Sequence, residues 1–419
     1  MIQTPLTLPC GLTLKNRIAK AAMSEALADR RGDPSPALID LYRRWGEGGA
    51  GLLVTGNTPV DPDHREHAAN VVLDERTDLS AMARLAAAAK AGGAAVFAQL
   101  AHAGRQTPEA LNPAPLSVSS IRTSLPGFGR PRAATADELE GVARRFARSA
   151  ALAERADFDG VEIHAAHGYL ISSSLSPRIN DRDDGWGGSL DGRARLARLT
   201  LSAVRAAVSR SFAVAVKLNA ADFQPGGFSA EDSLAVAAML AENGADLIEI
   251  SGGTFEAPVS YRHGPAPKSE EEEGFFLRHA RAVRAAVAAA VMATGGFRSR
   301  AGVEAALVSG AVDVVGMARP FALAPGFAAD FVAGRTDAAP AAERGFPAEE
   351  DLPRGAARNR FCDQIERRAA GEDDPAATPL LTGHERYLAR IEAETARRRR
   401  ADFRTVSSPP VALITKPEA

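Results

Sequence analysis

Two cysteines, Cys10 and Cys362, are all that the 419 residues contain. They are too few and too far apart for a disulfide framework or a cysteine-ligated iron–sulfur cluster, and they fit a reducing cytoplasm. Long apolar runs are missing as well. The longest, in "AAVAAAVMATGG", is too short to span a bilayer, and the N-terminal "MIQTPLTLPCGLTLKNR" lacks the basic-then-apolar order of an export signal. Neither sign of charge is in excess: 50 basic and 52 acidic side chains leave a formal net charge of −2, which gives no long-range attraction to nucleic acid or an anionic membrane. Aromatics are sparse at 5%, whereas 45% apolar and 24% charged residues are ordinary globular proportions. The expected partners are therefore small molecules, met by a soluble, cytoplasmic protein.

What is present is an alternation. Short apolar, β-leaning runs are each followed by Ala/Arg/Glu-rich stretches of helical period, the pattern of a parallel sheet built from βα units. The runs are "RIAKAAM" (17–23), "GLLVTG" (51–56), "AAVFAQL" (94–100), "FDGVEIH" (158–164), "FAVAVKLN" (212–219), "DLIEIS" (246–251), "AAAVMAT" (288–294) and "VDVVGM" (312–317). Eight such units predict a (β/α)8 TIM barrel. A Rossmann-like sheet is disfavoured because no G-x-G-x-x-G follows the first run. Helix signals agree with the alternation, as in "SAEDSLAVAAMLAENG", where Ser229 reads as N-cap and Gly244 as terminating glycine. The barrel is assigned to residues 1–335. Residues 336–419 read as a partly helical C-terminal extension, packed on the barrel or on a neighbouring subunit of a homo-oligomer, with a flexible tail. The runs "EEEE" (270–273) and "RRRR" (397–400) read as solvated charge.

In such a barrel the active face is the rim where strands end. There the sequence places Ser24, Gly56, Asn57, Gln99, His164, His167, Tyr169, Lys217, Gly295, Gly296 and Arg319. "ATGGF" lets the backbone approach a ligand closely, and Arg319 in "GMARP" adds a planar fork, so the ends of the last two strands form a candidate phosphate site. The paired acids of a glycosidase are absent. His164 and His167 lack an evident third ligand of the kind zinc favours, so no metal is expected. Two histidines and a tyrosine can instead hydrogen-bond a carbonyl oxygen while the phenol gives up a proton, and Lys217 and Gln99 can hold an electron-rich heterocycle. Taken singly, Gln99 reads as a buried polar group satisfied by backbone, Lys217 as a partner of Glu249 or Glu162, and Tyr169 as core; their joint placement on one rim favours a site. Two other classes stay open: a metal-dependent barrel hydrolase using His164 and His167, and a non-catalytic flavin- or phosphate-binding module.

The segments "LKNRIAKAAMSE" (14–25), "AQLAHAGRQ" (98–106), "GVEIHAAHGYLISSSLSPRINDRDDGWGGSLDGRARL" (160–196), "KLNAADF" (217–223) and "ATGGFRSRAGVEAALVSGAVDVVGMARPF" (293–321) resemble the old yellow enzyme family of FMN-dependent NAD(P)H:flavin oxidoreductases, or ene-reductases, over roughly residues 1 to 325. The resemblance implies that Ala22, Met23 and Ser24 line the flavin, that Gly56 and Gln99 contact its ring, and that Lys217 sits beside N1 and the C2 carbonyl. It implies that the backbone of Gly295, Gly296, Ala318 and Arg319 holds the FMN phosphate. His164 and His167 would bind the carbonyl oxygen of an activated alkene, and Tyr169 would protonate Cα after hydride reaches Cβ. Turnover would be ping-pong, with NAD(P)H as reductant. The chain departs from the family in Lys217 where Arg is common, in Ser173 and Ser174 where Gln-Phe is usual, in Trp186 where Tyr is common, and in "SYRHGPAP" (260–267), which matches no family motif.

Overall fold

Eight parallel strands close on themselves in the computed structural model, which describes residues 1–259, 273–372 and 378–400, with side chains only as far as Arg397. They are β1 (Ile18–Lys20), β2 (Leu52–Val54), β3 (Ala95–Ala101), β4 (Gly160–Ala165), β5 (Ala213–Asn219), β6 (Leu247–Ser251), β7 (Ala290–Thr294) and β8 (Val314–Met317). Each pairs with the next, and β8 pairs with β1, so no edge is left open. The helices α1 (Pro36–Glu47), α2 (Leu79–Ala89), α3 (Ala136–Arg155), α4 (Leu190–Ala207), α5 (Ala230–Glu242), α6 (Leu277–Ala286), α7 (Arg300–Val308) and α8 (Phe327–Ala333) follow the strands in turn. Several starts are fixed by side chains: Thr135 and Glu138 form a reciprocal capping box, and Ser229 accepts from the Asp232 N–H as its spacing predicts. All eight expected strands are present. The first is shorter than its apolar run because Ala21–Met23 leave the sheet and pass along the rim.

The strand alternation divides the interior. Outward residues such as Val161, Ile163, Val214, Val216, Ile248 and Ile250 pack against the helices. Inward residues at the strand starts, among them Phe97, Ala213, Ala215, Leu247, Met292 and Val314, form a separate apolar plug, closed from below by Leu8 and Leu14 of an N-terminal hairpin. One step further along the same inward rows the residues become Gln99, Glu162, Lys217 and Glu249, all at most 3% exposed. The barrel is thus apolar at its base and ionisable near its top.

Beyond the barrel, α9 (Ala356–Ala369) and α10 (Leu380–Arg400) pack on each other, and α9 also packs on α1 and on the short helix Arg319–Leu323. The extension therefore sits on its own barrel, on the strand-end face. The 260–267 segment, the acidic run through residue 272, the basic side chains after Arg397 and the tail lie outside the described residues. Among the described residues no helix is long and apolar enough to cross a membrane.

Candidate active site

The ionisable layer is built by register. Lys217 on β5 lies opposite both His164 on β4 and Glu249 on β6, and Gln99 on β3 lies opposite Glu162. Lys217 Nζ pairs with Glu249 Oε1 at 2.7 Å, and Gln99 Nε2 donates to Glu162 Oε1 at 2.7 Å. The Lys217–Glu249 pairing weighed from sequence is therefore real, whereas the Gln99 amide is held by Glu162 and not by backbone; both side chains still reach the cavity above. Burial, reinforced by Glu249, holds the Glu162 carboxyl well above the carboxylate range, so it is neutral. Burial opposes the Lys217 ammonium, but its ion pair with Glu249 outweighs that cost and keeps Lys217 charged.

After β4 the chain turns sharply. His167 has φ +63° and Gly168 φ +81°, left-handed values that a β-branched residue would resist, and Tyr169 then caps the short helix Leu170–Leu175. The turn stacks the three side chains edge to face, with His164 4.8 Å from the Tyr169 ring and 5.1 Å from the His167 ring. His164 Nδ1 accepts the Ala166 N–H at 3.2 Å, so in the neutral ring the proton resides on Nε2 and makes it a donor. His167 Nε2 lies 2.8 Å from Ser251 Oγ, and its backbone N–H donates to Asn219 Oδ1 at 3.1 Å. Asn57 Nδ2 donates to the Tyr169 hydroxyl at 3.0 Å. Burial, helped by Lys217, pushes the His167 imidazole down to about 3. Unfolded histidine titrates near 6.5, so between these values the unfolded chain binds the extra proton, and stability falls as pH falls through the interval. The expected slope from His167 alone is about 1.4 kcal/mol per pH unit below pH 6.5. Urea unfolding of the wild type should steepen in pH dependence by that amount relative to His167→Gln, whereas parallel curves would show that His167 does not titrate this way.

These groups open onto one cavity of about 620 Å³, a size suited to a cofactor with room for a second small molecule. Its walls hold Ala22, Met23, Ser24, Gln99, His164, His167, Tyr169, Lys217, Gly295, Gly296, Ala318 and Arg319. Gly56 is the exception among the expected residues. It packs behind the wall, where its N–H donates to Glu25 at 3.1 Å and a Cβ would stand 2.1 Å from the Met23 carbonyl oxygen. Its smallness lets Ala22–Ser24 lie where they do. Gly295 and Gly296 have φ +122° and +92° and present bare backbone to the cavity. Beside them Arg298 joins Arg319 at the wall, with Glu343 of the extension contacting both guanidinium groups.

Asn57, placed by the sequence at the end of the second strand, is in the cavity wall too; sequence reasoning missed Arg298, Glu66 and the extension residues Phe361, Cys362 and Tyr387 there. Arg298 follows "GGF" directly and was within reach of the phosphate argument; the others carry no local signal.

Among the described residues, the group close enough to share a metal ion is Asp61, His64 and His102, which excludes His164 and His167. Even that cluster is poorly disposed to one. His64 Nε2 accepts from the Leu116 N–H at 2.9 Å and His102 Nδ1 from the Gly104 N–H at 3.2 Å, so each neutral ring is protonated at the nitrogen a metal would need.

Residues 2–337 match the sequence profile of the NADH:flavin oxidoreductase / NADH oxidase family. The chain belongs to that family. It is an NADH:flavin oxidoreductase of the old yellow enzyme type, using FMN and NAD(P)H. It is 38% identical over 346 residues to the NADH-dependent flavin oxidoreductase iliE of Hypocrea jecorina, covering 77% of this chain and 86% of that one. It is 36% identical over 353 residues to the 4,4'-dithiodibutanoate disulfide reductase of Rhodococcus erythropolis, covering 78% and 87%. Among solved structures, morphinone reductase superposes with a TM-score of 0.68 at 24% identity, over 83% of this oxidoreductase and 94% of its own chain, a likeness of fold.

Proposed function

We propose that this oxidoreductase takes hydride from NAD(P)H and reduces the C=C bond of an α,β-unsaturated carbonyl or similarly activated alkene in ping-pong order. The observation that carries the reading is the convergence of two neutral imidazoles and a phenol, from His164, His167 and Tyr169, on the cavity that Lys217 and Ser24 also line. FMN fits the donor set. The bare backbone of Gly295, Gly296, Ala318 and Arg319, with the Arg298 and Arg319 cations, suits a phosphate; Ala22, Met23, Ser24 and Gln99 suit the ring; and Lys217 suits its electron-rich N1 and C2 edge. Bound FMN supplies the site that accepts hydride from the nicotinamide and passes it to the substrate.

The chain does the rest. His164 and His167, held uncharged by burial, donate hydrogen bonds to the substrate carbonyl and polarise the alkene without placing a full cation beside it. Tyr169, held by Asn57, gives its proton to Cα. Because relatives are named for acceptors as different as a disulfide, acceptor choice is assigned to the outer wall, which here comes from α9 and α10 through Phe361, Cys362 and Tyr387. The test is anaerobic: enzyme reduced with one equivalent of NADH is mixed with an enone, and the reading requires reoxidation with formation of the saturated ketone. A reduced enzyme that enones leave reduced would refute it.

A further inference from the structure

Glu66 stands in the segment after β2, outside every motif considered above. Its carboxylate joins two groups that line the cavity: Oε1 accepts from the Ser24 hydroxyl and from Asn70 Nδ2 at 3.3 Å, and Oε2 accepts from the Tyr169 hydroxyl at 3.4 Å. Asn57 places its own amide proton on the phenol oxygen, so the phenol proton is directed elsewhere, toward Glu66. Tyr169 is only 3% exposed, while Glu66 is partly exposed. A proton from solvent therefore meets the carboxylate before the phenol.

Resting on the reading that Tyr169 is the proton donor, we propose that Glu66 is the positioning residue that orients the phenol and returns its proton after each turnover. In the forward step the Tyr169 O–H bond breaks, a C–H bond forms at Cα, and the electron pair remains on oxygen as phenolate. That anion lies against a carboxylate in a buried site, where like charges repel strongly. Glu66 takes one proton from solvent and passes it to the phenolate. Phenol and carboxylate are thereby restored, and one solvent proton is consumed per alkene reduced, the proton that a hydride donor leaves to be supplied.

Other titratable groups face the same carboxylate from the extension. The Cys362 thiol on α9 and the Tyr387 phenol on α10 are both pushed up, chiefly by burial and also by Glu66, against Arg358 and Arg390, which act the other way. Both stay neutral at neutral pH and do not replace Glu66.

The test uses the FMN-loaded protein with ¹³Cζ-labelled tyrosine, of which the chain has four, with Tyr169→Phe assigning the signal. In Glu66→Gln the Tyr169 titration midpoint should fall by about one pH unit or more, because an adjacent negative charge is gone. Steady-state turnover of an enone should fall at least tenfold below the slower of the two half-reactions measured alone, and Glu66→Asp should recover part of both effects. An unmoved midpoint, with turnover equal to the slower half-reaction, would overturn the relay while leaving Tyr169 as donor. Failure of the donor reading is separate: Tyr169→Phe would then leave the single oxidative half-reaction unchanged.

Discussion

Replacing Tyr169 by Phe is expected to slow reoxidation of the NADH-reduced enzyme by an enone by about 10²- to 10⁴-fold, the range of a positioned general acid, while changing NADH-dependent reduction far less. The asymmetry follows from what each half-reaction asks of the residue. In the proposed reaction hydride arriving at Cβ leaves negative charge that must be quenched at Cα, and the phenol proposed as proton source lies 4.8 Å ring to ring from His164. Taking hydride from the nicotinamide needs no proton on a substrate carbon. Tyr169 is buried and packs against His164 and Phe255, so the variant keeps that apolar contact and loses only the hydroxyl with its bonds to Asn57 and Glu66. Stopped-flow traces of the two half-reactions separate the effects; equal slowing of both would remove Tyr169 as the donor.

Lys217→Met should be costly in a different currency, stability. Lys217 is 3% exposed and Glu249 is fully buried, so deleting the ammonium strands a carboxylate 2.7 Å from where its partner stood. Breaking one side of a buried pair typically costs about 3–5 kcal/mol, because the remaining charge must be kept without compensation or neutralised. Here a second buried carboxyl, Glu162, is already neutral partly because Glu249 is charged, so the cost of stranding Glu249 spreads across the whole layer. The account predicts a loss of that size in urea unfolding of the variant, weaker FMN retention, and recovery of most of the stability in Lys217→Met/Glu249→Gln, where no unpaired charge remains. FMN retention should not recover in the double variant, since the cation proposed to face the ring is still missing. If the single variant unfolds like the wild type, Lys217 does not hold the layer together.

Much of this arrangement is legible in the sequence, and the illegible part has a physical pattern. Strand period placed Gln99, His164 and Lys217 at strand ends, and the barrel then brought them to one wall. The same period also placed Glu162 and Glu249 on the inward face, which is why the pairing of Lys217 with Glu249 could be anticipated as a bland alternative, while the Gln99–Glu162 bond was not. Both proved to be the support beneath the site. The family resemblance assigned Gly56 to the ring itself, but its position is set by how Ala21–Met23 leave the sheet, a matter of backbone path that a motif match does not encode. Glu66, Tyr387 and Cys362 reach the cavity from a loop and from the C-terminal helices. Their placement depends on contacts between segments distant in the chain, such as Ser24 with Glu66, 42 positions apart, and no local pattern announces them.

In the proposed reaction hydride and proton are delivered separately, the first through bound FMN to Cβ and the second from Tyr169 to Cα. Isotopic labelling of the anaerobic enone reduction tests it most directly. With 4-deuterated NADH in ordinary water, the account predicts deuterium at Cβ alone, and with ordinary NADH in deuterium oxide it predicts solvent deuterium at Cα. An enone that leaves the reduced enzyme unoxidised, or a product with the two labels exchanged, would contradict it.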